Sequence, residues 1–271
     1  MIYIKNNTNL TNYLTLKRQK LKRRKNLRKL FIYLLICCVP ILTFIFKISS
    51  IFLDSTSTST NNSNYVLSSN SLLRSIEDSI TICIDAGHGD WDVGAEGITG
   101  SYEKDINLAV ALKLGEKLEN SGVNVVYTRD SDTLNWSDNA IENLYERVNI
   151  SKNNNSDLFI SIHCNNSDES SYYNGVETWY NPNDYNSELF ATIIQDELAS
   201  LEYTEDRGIK SYSADYTLAV LDHNIIPSVL VELGFLSNYY DEAFLLSESG
   251  QELCATALYN AIQTAIEDIL N

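Results

Sequence analysis

Four side chains in this sequence have the types and settings needed to hold a divalent metal and to move a proton. His88 follows the short apolar run Ile82-Cys83-Ile84 and sits between Gly87 and Gly89, so it falls where a buried strand gives way to a turn. His163 ends a second such run, Asp157-Leu158-Phe159-Ile160-Ser161-Ile162. The chain holds only three histidines, and two of them close strands. Each alone reads as a hydrogen-bonded structural residue; the pair at equivalent strand ends favours metal ligation. Glu103 adds a carboxylate at the start of the helix that follows His88, although an acid there is also what the helix dipole prefers. Two histidines and one glutamate with an open position is the composition of a catalytic zinc site, whereas structural zinc more often takes cysteines.

Glu232 is the fourth group. It closes the run Val229-Leu230-Val231 and is followed by Leu233-Gly234-Phe235-Leu236. Desolvation in such a setting raises a carboxyl pKa unless a cation compensates it, which suits a general base. A buried ion pair with Arg129 or Arg147 is the other reading, and the residues alone leave both open.

These groups need a scaffold that brings distant strand ends together. Strand-like and helix-like segments alternate from about Ser79 to the end. Residues 105–119 carry Ile106, Val110, Leu114 and Leu118 on one stripe and stop at Gly122, as a helix does. Strands are expected at 123–127, 157–163, 175–180, 217–221 and 225–232, with Pro227 tolerated at the start of the last. Helices are expected at 137–151, 187–201 and 251–269. The expected fold is α/β: a single domain built on a mostly parallel twisted sheet of about six strands, with helices on both faces, preceded by a transmembrane helix. In such sheets ligands collect at the carboxyl ends of the strands.

The two ends of the chain differ sharply in charge. Residues 1 to 47 hold 11 Lys and Arg and no acid, while the remainder holds nine basic residues against 36 acidic ones, hence −27. So acidic a body argues against a nucleic-acid partner. Residues 1–29 read as a basic cytoplasmic leader, and the apolar stretch 30–53 as a transmembrane signal-anchor under the positive-inside rule. Residues 54–78, rich in Ser, Thr and Asn, read as a linker, and 79–271 as the catalytic domain. That organisation places the body outside the cell on a membrane anchor; secretion after signal cleavage is the alternative. Cys83, Cys164 and Cys254 are scattered and odd in number, so they read as small buried apolar residues and not as a disulfide framework.

Taken together, IDAGHG (84 to 89), YEKDINLA with Glu103, YTRDSDT (127 to 133), LYERVNIS (144 to 151), DLFISIHCN (157 to 165), DRGIK (206 to 210) and PSVLVELGFLSN (227 to 238) resemble the zinc-dependent N-acetylmuramoyl-L-alanine amidases of bacterial cell walls, the amidase type 3 catalytic domain. The resemblance runs in order through about residues 80 to 269. It implies hydrolysis of the amide between the lactyl group of N-acetylmuramic acid and L-alanine in peptidoglycan. It also implies one Zn2+ per chain on His88, Glu103 and His163, with Glu232 as the catalytic glutamate. Asn107 and Asn165 then become candidate contacts to substrate or to the ligands, although solvated turn residues would look the same; Arg129 is a further candidate, and for it and Arg147 pairing with carboxylates to fix loops is the favoured reading. Ala86 departs from the family, which usually has proline there, and Cys164 stands where small residues are common. Two rival readings share these motifs: a catalytically inactive relative that binds wall peptides, and a zinc peptidase acting on a different wall amide. No activator protein is named by the sequence.

Overall fold

The computed structural model describes residues 80–270 except 135, 137, 138 and 214–216. The expected leader, anchor and linker (1–29, 30–53, 54–78) lie outside the described residues. The fold expectation needs correction in its membrane part: among the described residues no helix is long and apolar enough to cross a membrane.

The order of elements is β1 (Thr81–Ala86), α1 (Glu103–Asn120), β2 (Asn124–Tyr127), α2 (Ala140–Asn153), β3 (Leu158–Asn165), β4 (Val176–Tyr180), α3 (Tyr185–Ala199), β5 (Asp206–Ser211), α4 (Ala219–Asp222), β6 (Ser228–Phe235), α5 (Tyr239–Leu246) and α6 (Glu248–Ala265), the last running into a π turn over Ile266–Leu270. The six strands form one sheet in the order β2-β1-β3-β6-β4-β5. Every pairing is parallel but one, β4 against β6, so the sheet is mixed. Side-chain alternation along β1 divides the core in two. Ile82, Ile84 and Ala86 pack on one face with Val110 and Leu114 of α1 and with Leu258 and Ile262 of α6. Cys83 packs on the other face with Phe159, Val148 of α2 and Val220 and Leu221 of α4.

Three elements differ from expectation, one of them the helix Tyr239–Leu246, which the sequence pattern did not place. Residues 217–221 are not a strand; Ala219–Asp222 is a short helix whose Val220 and Leu221 are buried. A short apolar run of this kind carries too little periodicity to separate a strand from a buried helical turn. Its place in the sheet is taken by Asp206–Ser211, at the edge beside β4.

The helices start and stop on local chemistry. Asn139 caps α2 by accepting from the amides of Ile141 and Glu142, and Asn238 caps α5 through Tyr240 and Asp241. Helix α1 has no side-chain cap, and its first residue is Glu103, whose carboxylate is occupied elsewhere.

Candidate metal centre and its carboxylate neighbours

The strand order reverses direction of growth at β1, with β2 added on one side and β3 on the other. Such a switch point opens a crevice at the carboxyl ends of the strands. His88 lies just past the end of β1 and His163 near the end of β3, and their rings meet edge to face with centroids 4.9 Å apart.

Between them stands the Glu103 carboxylate, 4% exposed. Its Oε1 lies 2.9 Å from His163 Nδ1 and its Oε2 3.2 Å from His88 Nε2. One ligand atom from each of His88, Glu103 and His163 lies within 4.8 Å of the others. Burial alone would raise the Glu103 carboxyl, but the two imidazoles hold it far below the usual carboxylate range. The amides of Ala95 and Cys164 donate to the same carboxylate, one to each oxygen. Asn107 on the next turn of α1 donates to its Oε1 and to the Gly87 carbonyl, each at 3.3 Å. Asn107 is therefore a buried contact to this carboxylate and not a solvated turn residue.

His88 is oriented from behind: its Nδ1 lies 2.9 Å from Asp92 Oδ2, leaving Nε2 turned to Glu103. A carboxylate behind a ligating imidazole fixes tautomer and ring plane. His88 also has a left-handed backbone (φ 62°), a conformation costing a non-glycine residue roughly 1–2 kcal/mol. Two buried arginines hold the turn in that shape. Arg147 donates to the carbonyls of Ala86 and His88, and Arg129 to those of Ala86, Gly87 and Lys104. Arg147 also binds Asp85 Oδ1 at 2.6 Å with both side chains buried. Burial would raise the Asp85 carboxyl; Arg147, Ser161 and Thr128 outweigh it and hold it below its ordinary value. Arg129 thus touches backbone carbonyls and braces the His88 turn, while Arg147 makes the carboxylate pair that the sequence suggested for both.

Glu232 lies on β6 with His163 as its parallel neighbour on β3. It pairs with neither Arg129 nor Arg147, both of which are spent on the His88 turn. Its Oε2 is buried with no hydrogen-bond partner among the described residues. Burial, then the nearby Glu103 and Glu177 carboxylates, push the Glu232 carboxyl well above its ordinary range.

Glu177 was not singled out by the sequence. It is the second residue of the antiparallel strand β4, directly opposite Glu232, and is 4% exposed. Its Oε1 accepts from Asn165 Nδ2 and Trp179 Nε1, and its Oε2 from Arg207 Nε at 2.7 Å. Asn165 therefore touches the Glu177 carboxylate. His223 stacks on Tyr145 with centroids 4.8 Å apart and takes no part in this cluster.

The donor set fits zinc. Two imidazole nitrogens and a carboxylate oxygen converge with no thiolate among them, and each is oriented by a further hydrogen bond or by the opposing carboxylate. An unpartnered buried carboxylate oxygen stands on the strand beside His163, as a proton carrier would.

The family model for N-acetylmuramoyl-L-alanine amidase (Amidase_3) matches residues 82–264. The Bacillus subtilis protein YqiI is 42% identical over 68% of this chain and 84% of its own length. The N-acetylmuramoyl-L-alanine amidase LytC of Bacillus subtilis is 40% identical over 66% of this chain, which corresponds to 34% of LytC. An N-acetylmuramoyl-L-alanine amidase structure from Clostridium difficile 630 superposes with a TM-score of 0.64 at 31% identity, covering 71% of this chain and 99% of that one. With fold, matched span and similarity in agreement, this chain belongs to the N-acetylmuramoyl-L-alanine amidase family.

Proposed function

We propose that this chain hydrolyses the amide between the lactyl group of N-acetylmuramic acid and L-alanine in peptidoglycan, as a zinc enzyme with Glu232 as its proton carrier. The carrying observation is the convergence of His88, Glu103 and His163 beside half-buried Glu232, whose Oε2 is buried with no hydrogen-bond partner among the described residues. The proposal includes residues 79–271 as the catalytic unit, working on the wall side of the cytoplasmic membrane where that polymer lies.

His88, Glu103 and His163 would hold the ion. A zinc ion there would supply a Lewis acid that polarises the scissile carbonyl and lowers the pKa of water to about 7. Asp92 keeps the His88 ring in one tautomer, and Arg129 and Arg147 keep the turn beneath it from relaxing. Glu232, with its raised proton affinity, accepts a proton from the attacking water and returns it to the departing alanine nitrogen. The leaving amine departs protonated and the lactyl group is left as a free carboxylate.

Digestion of purified wall tests the reading. New L-alanine amino termini paired with free lactyl groups are expected; intact wall with retained binding, or a new terminus at another residue, overturns it.

A further inference from the structure

Two strands from Glu232, next to Gly208 on β5, stands Arg207. Strand β4 runs antiparallel to β6, so the beginning of β4, and of β5 beside it, comes to the edge where β1, β3 and β6 end. Glu177 is paired with Glu232 on one side and Gly208 on the other, with a register shift that sets Arg207 apart from the ladder. Two strand spacings of about 4.8 Å separate the backbone of Glu232 from that of Gly208, and an arginine side chain spans most of that distance.

The guanidinium is built into place. Its Nε donates to Glu177 Oε2 at 2.7 Å, its Nη1 reaches the Asn174 carbonyl at 3.4 Å, and its carbon lies 5.0 Å from the centroid of the Phe235 ring. Phe235 in turn stacks on Tyr173. Nη2 has no partner among the described residues, and the side chain is 28% exposed. The other arginines of this edge differ, since Arg129 and Arg147 are buried and committed to carbonyls and to Asp85. A fixed, stacked guanidinium with an open donor edge is suited to a carboxylate. In so acidic a body it is also a place where an anionic substrate group meets attraction.

Resting on the amidase reading above, we propose that Arg207 is a specificity-determining residue that takes the free carboxylate of the second residue of the stem peptide. The leaving alanine nitrogen receives its proton at Glu232. From there one residue, about 3.8 Å between α-carbons, leads to the next, which in peptidoglycan is a glutamate joined through its side chain and so bearing a free α-carboxylate or its amide. With the stem peptide running from Glu232 toward β4 and β5, that group meets the open edge of Arg207. Glu177 is the positioning residue: it holds Arg207 by one edge and leaves the other to the substrate.

The test compares two soluble disaccharide-peptides differing only in whether that α-carboxylate is free or amidated, cut by the full-length chain. The wild type is expected to favour the free acid in kcat/KM by about tenfold, as for loss of one charge-assisted contact. Arg207→Gln should bring the ratio close to one, by loss of the acid substrate alone, and Arg207→Lys should restore part of it. A ratio of rates on one preparation does not depend on how much of a variant folds. A preference unchanged in Arg207→Gln, or a wild type indifferent to the amide, overturns the subsite and leaves the amidase reading standing. A wild type that cuts neither substrate overturns both.

Discussion

Glu177 and Glu232 face each other across the antiparallel pair β4 and β6, yet they are in opposite electrostatic situations. Glu177 has Arg207 on one oxygen and two donors on the other, while Glu232 has a buried oxygen with no hydrogen-bond partner among the described residues. Carboxylates in such different surroundings can divide the work, and the proposed amidase mechanism gives the proton to Glu232.

Glu232→Gln tests that division. The amide keeps the shape and cannot take a proton, so turnover should fall by about 10²–10⁴, the usual worth of a general base. Zinc measured by elemental analysis should stay near one per chain, because the proposed ligand set of His88, Glu103 and His163 does not include Glu232. Full activity in the variant would mean that another group carries the proton.

Much of this site is legible in the sequence, because three of its groups obey one simple rule. His88 and His163 lie at or near the ends of parallel strands and Glu232 three residues before the end of β6, and each follows an apolar run long enough to read. Glu177 and Arg207 escape that rule because they lie near the start of β4 and β5, and β4 runs the other way. The signal was there in the spacing. Only residues 166–175 separate β3 from β4, without a helix, and a return to a parallel strand needs a crossover of a dozen or more residues. The two buried arginines show a different limit. Their residue type suggests carboxylate partners, but most of their bonds go to backbone carbonyls, which no side-chain pattern encodes.

The Asp85 and Arg147 pair should dominate the response of this region to mutation and acid. Arg147→Met removes the cation from a buried carboxylate that also anchors Thr128 and Ser161, and should cost about 3–5 kcal/mol in denaturant unfolding. The folded carboxyl lies below its ordinary value of 3.8, so its contribution is complete at neutral pH and fades as pH falls from about 4 through the folded value. Asp85→Asn should therefore be less stable than wild type at pH 7, with the gap narrowing below about pH 4. A gap that stayed constant with pH would show that Asp85 is not held ionised by the fold.

Metal should stabilise the protein. The three proposed ligands, drawn from α1 and from the ends of β1 and β3, come together only in the folded chain, so an ion held there would favour the native state. At a free zinc concentration about a thousand times Kd the gain is about 4 kcal/mol, and a chelator should lower the melting temperature accordingly. His88→Ala should melt at the same temperature with and without chelator and should lose its zinc; retention of both would remove His88 from the ligand set.

Two glycines give the most selective probe of the ligand geometry, because neither has a side chain that could hold an ion, yet each lies against the proposed ligands. A methyl group on Gly87 would enter the His163 ring. One on Gly94 would come within 2.5 Å of Glu103 Oε2 and 2.7 Å of His88 Cδ2, at a residue already in the left-handed region (φ 68°). Gly87→Ala is the cleaner change, since no left-handed strain is added there. The His163 ring must tilt away, and disturbance of a ligand's support typically costs 10–100-fold in metal affinity. We expect a loss of about that size in a zinc competition titration, with the far-ultraviolet circular dichroism of the fold unchanged. Cobalt substitution would report the same displacement as an altered visible absorption band. Wild-type affinity together with an unaltered cobalt spectrum in Gly87→Ala would show that His163 can leave this position without consequence for the ion, and the three-ligand assignment would then have to be given up.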